Sequence, residues 1–283
     1  MEIREETREW LKQYCGRRRP RESVGQTSII SVRSVWSSNV ECEFHLISKA
    51  VKEGKYNQAT LDTEFVLAMN MKNTSEKHPR FASPEERYHN IRMKTDNGII
   101  RQLGLTLSAD DGSVLIWEFN FVPDLFVPLY SLEEIEEYFR TTQLEPIDPI
   151  YFSNLLRTSG LVYNNNITWI MFHSAYDLAF FIKLATFWSP LPDALVDFSS
   201  LVRTYLGEII LDVKYIIKFT HNLHGGLEEV ATALGIERVV GHAHQAGSDS
   251  LLTWHTYKRM KDIHFPLDGG VRHAGILYGI HDI

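Results

Sequence analysis

The sequence predicts an α/β domain in which helices cover both faces of a mixed β-sheet. Strand-like and helical segments alternate through the second half of the chain, a pattern typical of parallel strands joined by helices. In the first half, the turn sequence "SADDG" separates two apolar segments, "IIRQLGLTL" and "SVLIWEFNF", and its Asp-Gly pair is typical of an antiparallel hairpin. Both kinds of strand pairing are therefore expected in one sheet.

The chain is long enough, at 283 residues, for one large domain with a short extension. Residues 16–39 are rich in Arg, Ser and Pro and show no sustained periodicity until Ile29, so we expect a flexible N-terminal extension over 1–28 and a folded domain over 29–283. The run "RRRPR" is interpreted as a solvated tail, with a nuclear-import or RNA-contacting arm as the alternative.

The folded domain is predicted to begin with a helix and a strand. Apolar residues at helical spacing, Phe44, Ile47 and Val51, follow Val40, and Gly54 is placed to end the helix. The segment "ATLDTEFVLAM" is then predicted to be the first strand, beside which the hairpin lies antiparallel.

Two capping boxes predict helix starts. In "SPEERYHNIRM", Ser83 can cap the helix, Pro84 suits its first turn and Glu86 can complete the box. Ser131 and Glu134 repeat the pattern in "SLEEIEEYF". The later elements are predicted, in order, as helix "PIYFSNLLRTSG", strand "ITWIMFH", helix "AYDLAFFIKLATF", helix "DALVDFSSLVRTYLG", strand "EIILDV", helix "GGLEEVATALG" and a long helix that opens near Ser248.

Composition and charge narrow the class of protein. Hydrophobic residues at 44% and charged residues at 23% are ordinary for a globular protein, and no apolar run reaches the length that crosses a bilayer. A net charge of -7 argues against binding a long duplex through a basic face, but it suits a nuclease that loads divalent cations onto clustered carboxylates. Cys15 and Cys42 lack metal-site or disulfide spacing, and no secretory signal is present, so we expect the cytoplasm and the nucleus.

Two acids interrupt the predicted first strand. Asp62 and Glu64 lie two residues apart, so their side chains project from one face, among the apolar residues Leu61, Phe65 and Val66. Ionised carboxylates beside a core repel each other and lose hydration unless a cation or strong donors neutralise them. The pattern therefore favours a divalent-metal site, with solvated acids at an exposed strand end as the alternative.

Further acids and a histidine lie in the second half of the chain. Asp177 heads an apolar helix, where the helix dipole alone could account for it. Asp249 lies near the start of the last helix, and the loop before it can bring His244 beside that carboxylate. Histidine accepts protons near neutral pH, although a turn histidine and a plain helix-start acid are the alternatives. A zinc pair with His242 is disfavoured because further Cys or His ligands are lacking nearby.

These acids occur within a series of motifs, in the order "LDTEF", "HSAYDLAFFIKL", "LDVKYIIKF", "GGLEEVA" and "HQAGSDSLLT". As a set they resemble the motifs of the DEDD exonuclease superfamily and, within it, of the CAF-type poly(A) deadenylases, the catalytic subunits of the CCR-NOT complex. The segments "IIRQLGLTL", "WEFNF" and "GILYGI" resemble the same family, from about Ile29 to the last residues. The resemblance implies a ribonuclease H-like mixed β-sheet flanked by helices on both faces, and a DEDD exoribonuclease domain over 29–283.

The resemblance also implies an activity and its residues. The chain would be a metal-dependent 3'-to-5' exoribonuclease of the histidine-bearing subclass, shortening mRNA poly(A) tails and releasing AMP by two-metal hydrolysis with Mg²⁺ or Mn²⁺. The matched positions are Asp62, Glu64, Asp177, Asp249 and His244. Asp62 would bridge both metals. Glu64 and Asp249 would complete the shell of the first metal, and Asp177 would serve the second. His244 would accept a proton from the water held by the first metal.

Supporting residues and partners are implied in the same way. Asp212, in "LDVKY", matches a family motif and is expected to hold backbone or Lys214 near the site, with a plain strand-end acid as the alternative. The expected partners are single-stranded poly(A) RNA and the CCR-NOT scaffold subunit, and no membrane is expected. Basic side chains that could meet RNA phosphates are Lys183, Lys214, Lys218, Lys258, Arg259 and Lys261.

The sequence departs from the family pattern without losing an acid or the histidine. The departures are Val66 and Leu67 in place of Pro-Gly, Ala175 and Ala179 in place of glycines, and Trp254 in place of a small residue. They concern the shape of the cleft more than the reaction. Two other functions stay open: a catalytically weak interaction subunit of the CCR-NOT assembly, and a DEDD exonuclease acting on other RNA or DNA ends.

Overall fold

A computed structural model describes residues 30–67, 81–121 and 144–282. In these residues six strands form one sheet in the order β1-β4-β3-β2-β5-β6. The strands are β1 Val32–Val35, β2 Tyr56–Val66, β3 Ile99–Ala109, β4 Val114–Asn120, β5 Thr168–Met171 and β6 Ile210–Asp212. β3 pairs antiparallel with β2 and β4, whereas the pairs β1–β4, β2–β5 and β5–β6 are parallel. The predicted mixed sheet is confirmed.

Eight α-helices lie in the described residues. They are α1 Val40–Lys52, α2 Pro84–Asp96, α3 Pro149–Thr158, α4 Ala175–Ala185, α5 Leu195–Leu206, α6 Val213–Ile216, α7 Leu227–Ala233 and α8 Ala246–His264. None of the helices in this part of the chain combines the length and the apolar character that crossing a membrane requires.

Local signals placed the early elements correctly. Ser83 caps α2 by accepting a hydrogen bond from the Glu86 amide at 3.2 Å, and the Ser83 amide donates to the Glu86 carboxylate at 2.8 Å. This is the predicted capping box. The predicted hairpin is present as β3 and β4, with Leu105 opposite Trp117. The N-terminal extension over 1–28 and the helix predicted from Ser131 lie outside the described residues.

One element of the prediction is wrong: "ATLDTEFVLAM" does not form the first strand. Val32–Val35 precedes it and pairs in parallel with β4 at the edge of the sheet. Its two middle residues, Arg33 and Ser34, are exposed, so this four-residue strand has too little apolar alternation to be recognised in the sequence.

Helices cover both faces of the sheet, as predicted. On one face, Trp117 of β4 packs in the main core with Phe44 of α1 and Phe152 of α3. On the opposite face, the adjacent Ile116 packs against Leu251 and Trp254 of α8. Successive residues of a strand point to opposite faces, so this pair of neighbours shows that the sheet is buried between two layers of helices.

Helix α8 approaches β3 very closely at its first turn. A Cβ atom on Gly104 of β3 would lie 1.8 Å from the carbonyl oxygen of Ala246, so only glycine permits this contact. The approach sets the position at which α8 begins, and Asp249 lies in that first turn.

Candidate metal centre

Asp62 and Glu64 extend from β2 on the face of the sheet that α8 crosses. Asp62 is paired with Gly104 of β3, and paired residues share a face. Gly104 in turn contacts the first turn of α8. Both acids are partly buried, so neither is a fully solvated acid at an exposed strand end.

Asp177 reaches the same strand from the first turn of α4. Its side chain is only 7% exposed, and one carboxylate oxygen accepts two hydrogen bonds from Thr63, from the amide at 2.9 Å and from the hydroxyl at 2.5 Å. Burial raises the pKa of Asp177 to about 7, while the two bonds from Thr63 act in the opposite direction. Asp177 is therefore held against Thr63, the residue between the two acids of β2, rather than lying on a solvated helix end.

The loop before α8 places His244 beside two of the acids. The amide of His244 donates to the Oδ2 atom of Asp249 at 2.8 Å, and its Nδ1 atom lies 3.9 Å from the Oε1 atom of Glu64. His244 has a φ of 63°, in the left-handed region, and its imidazole is exposed. One ligand atom each from Glu64, His244 and Asp249 lie within 4.8 Å of one another.

The electrostatics of Asp62 show that the acids form one cluster. Burial raises the pKa of Asp62 well above its ordinary value, and the negative charges of Asp177, Asp249 and Glu64 raise it further. The positive charge of Arg238 opposes them. Four carboxylates from β2, α4 and α8 therefore repel one another in a partly desolvated site, which favours the binding of a cation.

Asp212 acts as a buried anchor for the backbone around the site. Its fully buried carboxylate accepts hydrogen bonds from main-chain amides of several segments and from one hydroxyl. The donors are the amides of His173, Ser174, Lys214, Tyr215 and Tyr278 and the hydroxyl of Ser174. The ammonium of Lys214 instead donates to the carbonyl of Gly225. Asp212 therefore holds backbone, and not the Lys214 side chain.

Lys183, which was expected to contact RNA phosphates, is buried. Lys183 is 3% exposed, and its ammonium lies 3.1 Å from a carboxylate oxygen of Asp96. It packs inside the protein because α4 is buried nearly all round, a property that the apolar composition of this helix indicates. The prediction that Lys183 contacts RNA phosphates is therefore wrong.

Sequence reasoning missed two residues of the cluster. Thr63 donates hydrogen bonds to Asp177 and is buried. Its position between Asp62 and Glu64 is the feature of the sequence that could have identified it. Arg238, whose guanidinium lies 2.5 Å from an oxygen of Asp249, stands in a loop with no motif of its own. Only the folded chain brings it to the acids.

The donor set suits hard divalent cations. Four carboxylates and one imidazole offer oxygen ligands predominantly, which Mg²⁺ and Mn²⁺ prefer, and the mutual repulsion of the acids is what a bound cation would relieve. The residues present therefore fit a divalent-metal site.

Comparison with known proteins adds an independent line of evidence. No protein-family model matches the chain. The chain is 34% identical over 271 residues to the probable CCR4-associated factor 1 homolog 7 of Arabidopsis thaliana, a match that covers 89% of this chain and 94% of that protein. It is also 34% identical over 271 residues to the poly(A) ribonuclease pop2 of Schizosaccharomyces pombe, covering 90% of this chain and 76% of that protein.

Solved structures resemble the fold over nearly the whole chain. The S. pombe Pop2p structure in its Mg²⁺- and Mn²⁺-bound form superposes with a TM-score of 0.72 at 34% identity, covering 88% of this chain and 99% of that one. A yeast structure of the NOT1 MIF4G domain co-crystallised with CAF1 superposes with a TM-score of 0.69 at 27% identity, covering 91% and 100%.

Proposed function

Because the chain belongs to the family of CCR4-associated factor 1 and Pop2 poly(A) ribonucleases, we propose that it is a 3'-to-5' exoribonuclease that shortens mRNA poly(A) tails and releases AMP. One observation carries the proposal beyond family membership. Acids from three distant segments, β2, α4 and α8, form one repelling cluster with a histidine beside it. Phosphodiester hydrolysis by two divalent ions requires a cluster of this kind.

The acids are assigned to the metals as follows. Asp62, whose charge interacts with those of all three other acids, would hold the divalent ions together with them. Glu64 and Asp249 would hold one ion together, since their ligand atoms lie close to each other. Asp177, held by Thr63, would contribute to the second. The relative bound with Mg²⁺ and Mn²⁺ supports the choice of these ions.

Divalent ions bound by these acids would supply an acidified water and would neutralise the charge that develops on the phosphate and on the leaving oxygen. The chain's own residues do the rest. His244, whose imidazole is exposed, accepts the proton of the attacking water on a ring nitrogen. The hydrogen bond from the His244 backbone amide to Asp249 fixes the loop and keeps this residue beside the acids. Asp212 keeps the backbone of the α4 start in place through Ser174.

Partner binding is proposed from the comparison alone. The yeast relative was co-crystallised with the NOT1 MIF4G domain, and this chain superposes on the matched structure over nearly its full length. We therefore propose that the chain docks on the corresponding scaffold subunit of a CCR-NOT complex, while single-stranded poly(A) RNA is its substrate.

Digestion of an RNA with a 3'-poly(A) tail tests the activity. Purified protein with Mg²⁺ or Mn²⁺ should shorten a 5'-labelled substrate in single-nucleotide steps and release the label of a 3'-labelled substrate first, as AMP. EDTA and the Asp62→Ala substitution should each abolish both reactions, because EDTA removes the ions and the substitution removes an acid that would hold them. An intact substrate in the presence of both ions, in an assay where a relative degrades it, would reject the proposal.

Two controls separate this function from the other candidates. Oligo(A), oligo(U) and DNA of equal length are compared as substrates, and preference for oligo(A) distinguishes a deadenylase from an exonuclease for other ends. Binding of the scaffold domain by the Asp62→Ala variant should be unchanged. An inactive wild-type protein that still binds the scaffold domain would instead support an interaction subunit.

A further inference from the structure

The guanidinium of Arg238 is held among three side chains beside the candidate metal centre. Arg238 lies in the loop between α7 and α8, and its side chain is only 13% exposed. Its Nε and Nη2 atoms donate to one oxygen of Glu228, the former at 2.9 Å, and its Nη1 atom donates to the hydroxyl of Ser248. Its Nη2 atom also donates to the Oδ1 atom of Asp249 at 2.5 Å. All three nitrogens are thus engaged.

Both oxygens of the Asp249 carboxylate therefore have a fixed donor. Arg238 holds Oδ1, and the amide of His244 holds Oδ2 at 2.8 Å. A carboxylate has about four acceptor positions, two on each oxygen, so each oxygen keeps a free lone pair after these bonds are made. Asp249 is consequently held in one orientation without losing its capacity to bind a cation.

The charge of Arg238 has two opposite effects on a divalent ion. Repulsion between cations would weaken binding, whereas a fixed orientation of Asp249 would strengthen it. Arg238 is itself paired with the carboxylates of Glu228 and Asp249, so these three groups together keep a net charge of about -1. The pairing lessens this repulsion, and weaker Mn²⁺ binding on loss of Arg238 would show that the effect on orientation is the larger.

The "GGLEEVA" segment thereby acquires a distinct role for each of its two acids. Glu229 accepts a hydrogen bond from the amide of Gly226 and so caps α7. Glu228, on the same helix, holds Arg238. A link therefore runs from α7 through Glu228 and Arg238 to Asp249.

We propose that Arg238 is a positioning residue for the metal centre, which sets the orientation of the Asp249 carboxylate and fastens it to α7. This inference rests on the proposed function, since it concerns the ions that the reaction uses. Direct binding of an RNA phosphate by Arg238 does not fit its low exposure and its three engaged nitrogens.

The test measures Mn²⁺ binding without RNA, by electron paramagnetic resonance or calorimetry on the full chain. Arg238→Gln should weaken Mn²⁺ binding by about tenfold or more, the size usual for loss of a residue that orients a metal ligand. Arg238→Lys should lie between this variant and wild type, because the ammonium keeps the charge but lacks the planar fork. Arg272→Gln is the matched control: Arg272 pairs with Asp268 on the surface, and its loss should leave Mn²⁺ binding unchanged.

Kinetics provide a second readout. The Mn²⁺ concentration for half-maximal cleavage should rise by the same factor as the dissociation constant, while KM for oligo(A) stays within about twofold of wild type. Unchanged or tighter Mn²⁺ binding in Arg238→Gln would overturn the inference, and so would a raised KM with normal Mn²⁺ binding, which indicates RNA contact.

If circular dichroism shows that Arg238→Gln is unfolded, Arg238→Lys and Glu228→Gln decide, and both should weaken Mn²⁺ binding. A wild-type protein that neither binds Mn²⁺ nor cleaves RNA would overturn the proposed function instead.

Discussion

The amide and the hydroxyl of Thr63 donate to the same oxygen of Asp177. Thr63 lies between Asp62 and Glu64 on β2, so the strand that carries two of the acids also holds the third. Burial is nevertheless the largest effect on Asp177, and it raises the pKa of this acid from an ordinary value of 3.8 to about 7. Without divalent ions, Asp177 therefore keeps a proton until pH approaches neutrality.

The metal-free protein should lose stability as pH rises from about 4 to about 7. In that range the native state keeps the proton on Asp177 while the unfolded state has released it, so a rise in pH favours unfolding. Bound Mn²⁺ takes the place of the proton, so the increase in Tm that Mn²⁺ causes should grow over the same range. Thermal unfolding in EDTA and in Mn²⁺, at about pH 5 and about pH 8, measures both effects.

Asp177→Asn is the control for this pH dependence. Its Tm in EDTA should fall less steeply with pH than that of wild type, although Asp62 and Glu64, whose pKa values are also raised, still contribute. An equally steep decline in the variant would show that Asp177 is not responsible.

His244→Asn should impair catalysis without harming the fold. Loss of a general base typically slows a reaction by roughly 10²–10⁴-fold, and we expect a fall in kcat of that size. The imidazole is 91% exposed and asparagine tolerates a positive φ, so the free energy of unfolding should change by less than about 0.5 kcal/mol. Single-turnover cleavage and urea unfolding measure the two quantities. His242→Asn, in the same exposed loop, should retain wild-type kcat.

Gly104→Ala should displace the start of α8. The added Cβ would lie 1.8 Å from the carbonyl oxygen of Ala246, so the first turn of the helix must move away from β3 and take Asp249 with it. We expect weaker Mn²⁺ binding, slower cleavage and a lower free energy of unfolding, the last by about 1–3 kcal/mol as for other overpacked sites. At Gly226 a new Cβ meets no atom within 4 Å, so Gly226→Ala should leave all three quantities close to wild type.

Asp212→Ala should strongly destabilise the protein. The substitution removes one buried carboxylate and leaves several amides and one hydroxyl without their acceptor. Breaking a buried charged network of this kind costs about 3–5 kcal/mol, which urea unfolding would show. Asp212→Asn keeps one acceptor oxygen and should be less damaging. A loss below about 1 kcal/mol for the alanine variant would contradict the anchoring role.

Features with a local cause could be predicted from the sequence. The cap of α2 at Ser83 depends on residues three positions apart, and the hairpin depends on its own turn, so both were predictable. The shared face of Asp62 and Glu64 follows from the alternation of a strand. Their meeting with acids of α4 and α8 does not follow from periodicity, and only the family resemblance indicated it.

Features with a long-range cause could not be predicted in this way. Lys183 was expected to be available for RNA phosphates, as lysines on helix surfaces are, but Asp96 from a distant helix neutralises it in the interior. Arg238 contacts Asp249 because two helices and a loop pack together, and no pattern in the sequence around Arg238 predicts that packing. The edge segment Val32–Val35 forms a strand because it pairs with β4, and its own composition does not predict this.

The anchoring of the Tyr278 amide on Asp212 has a consequence for protein synthesis. The acids of β2 leave the ribosome early, yet the last donor to Asp212 follows long after them. A nascent polypeptide therefore carries an incomplete centre throughout most of its translation. A chain that ends before Tyr278 lacks this donor to the buried Asp212 carboxylate and should have a lower free energy of unfolding than the full chain.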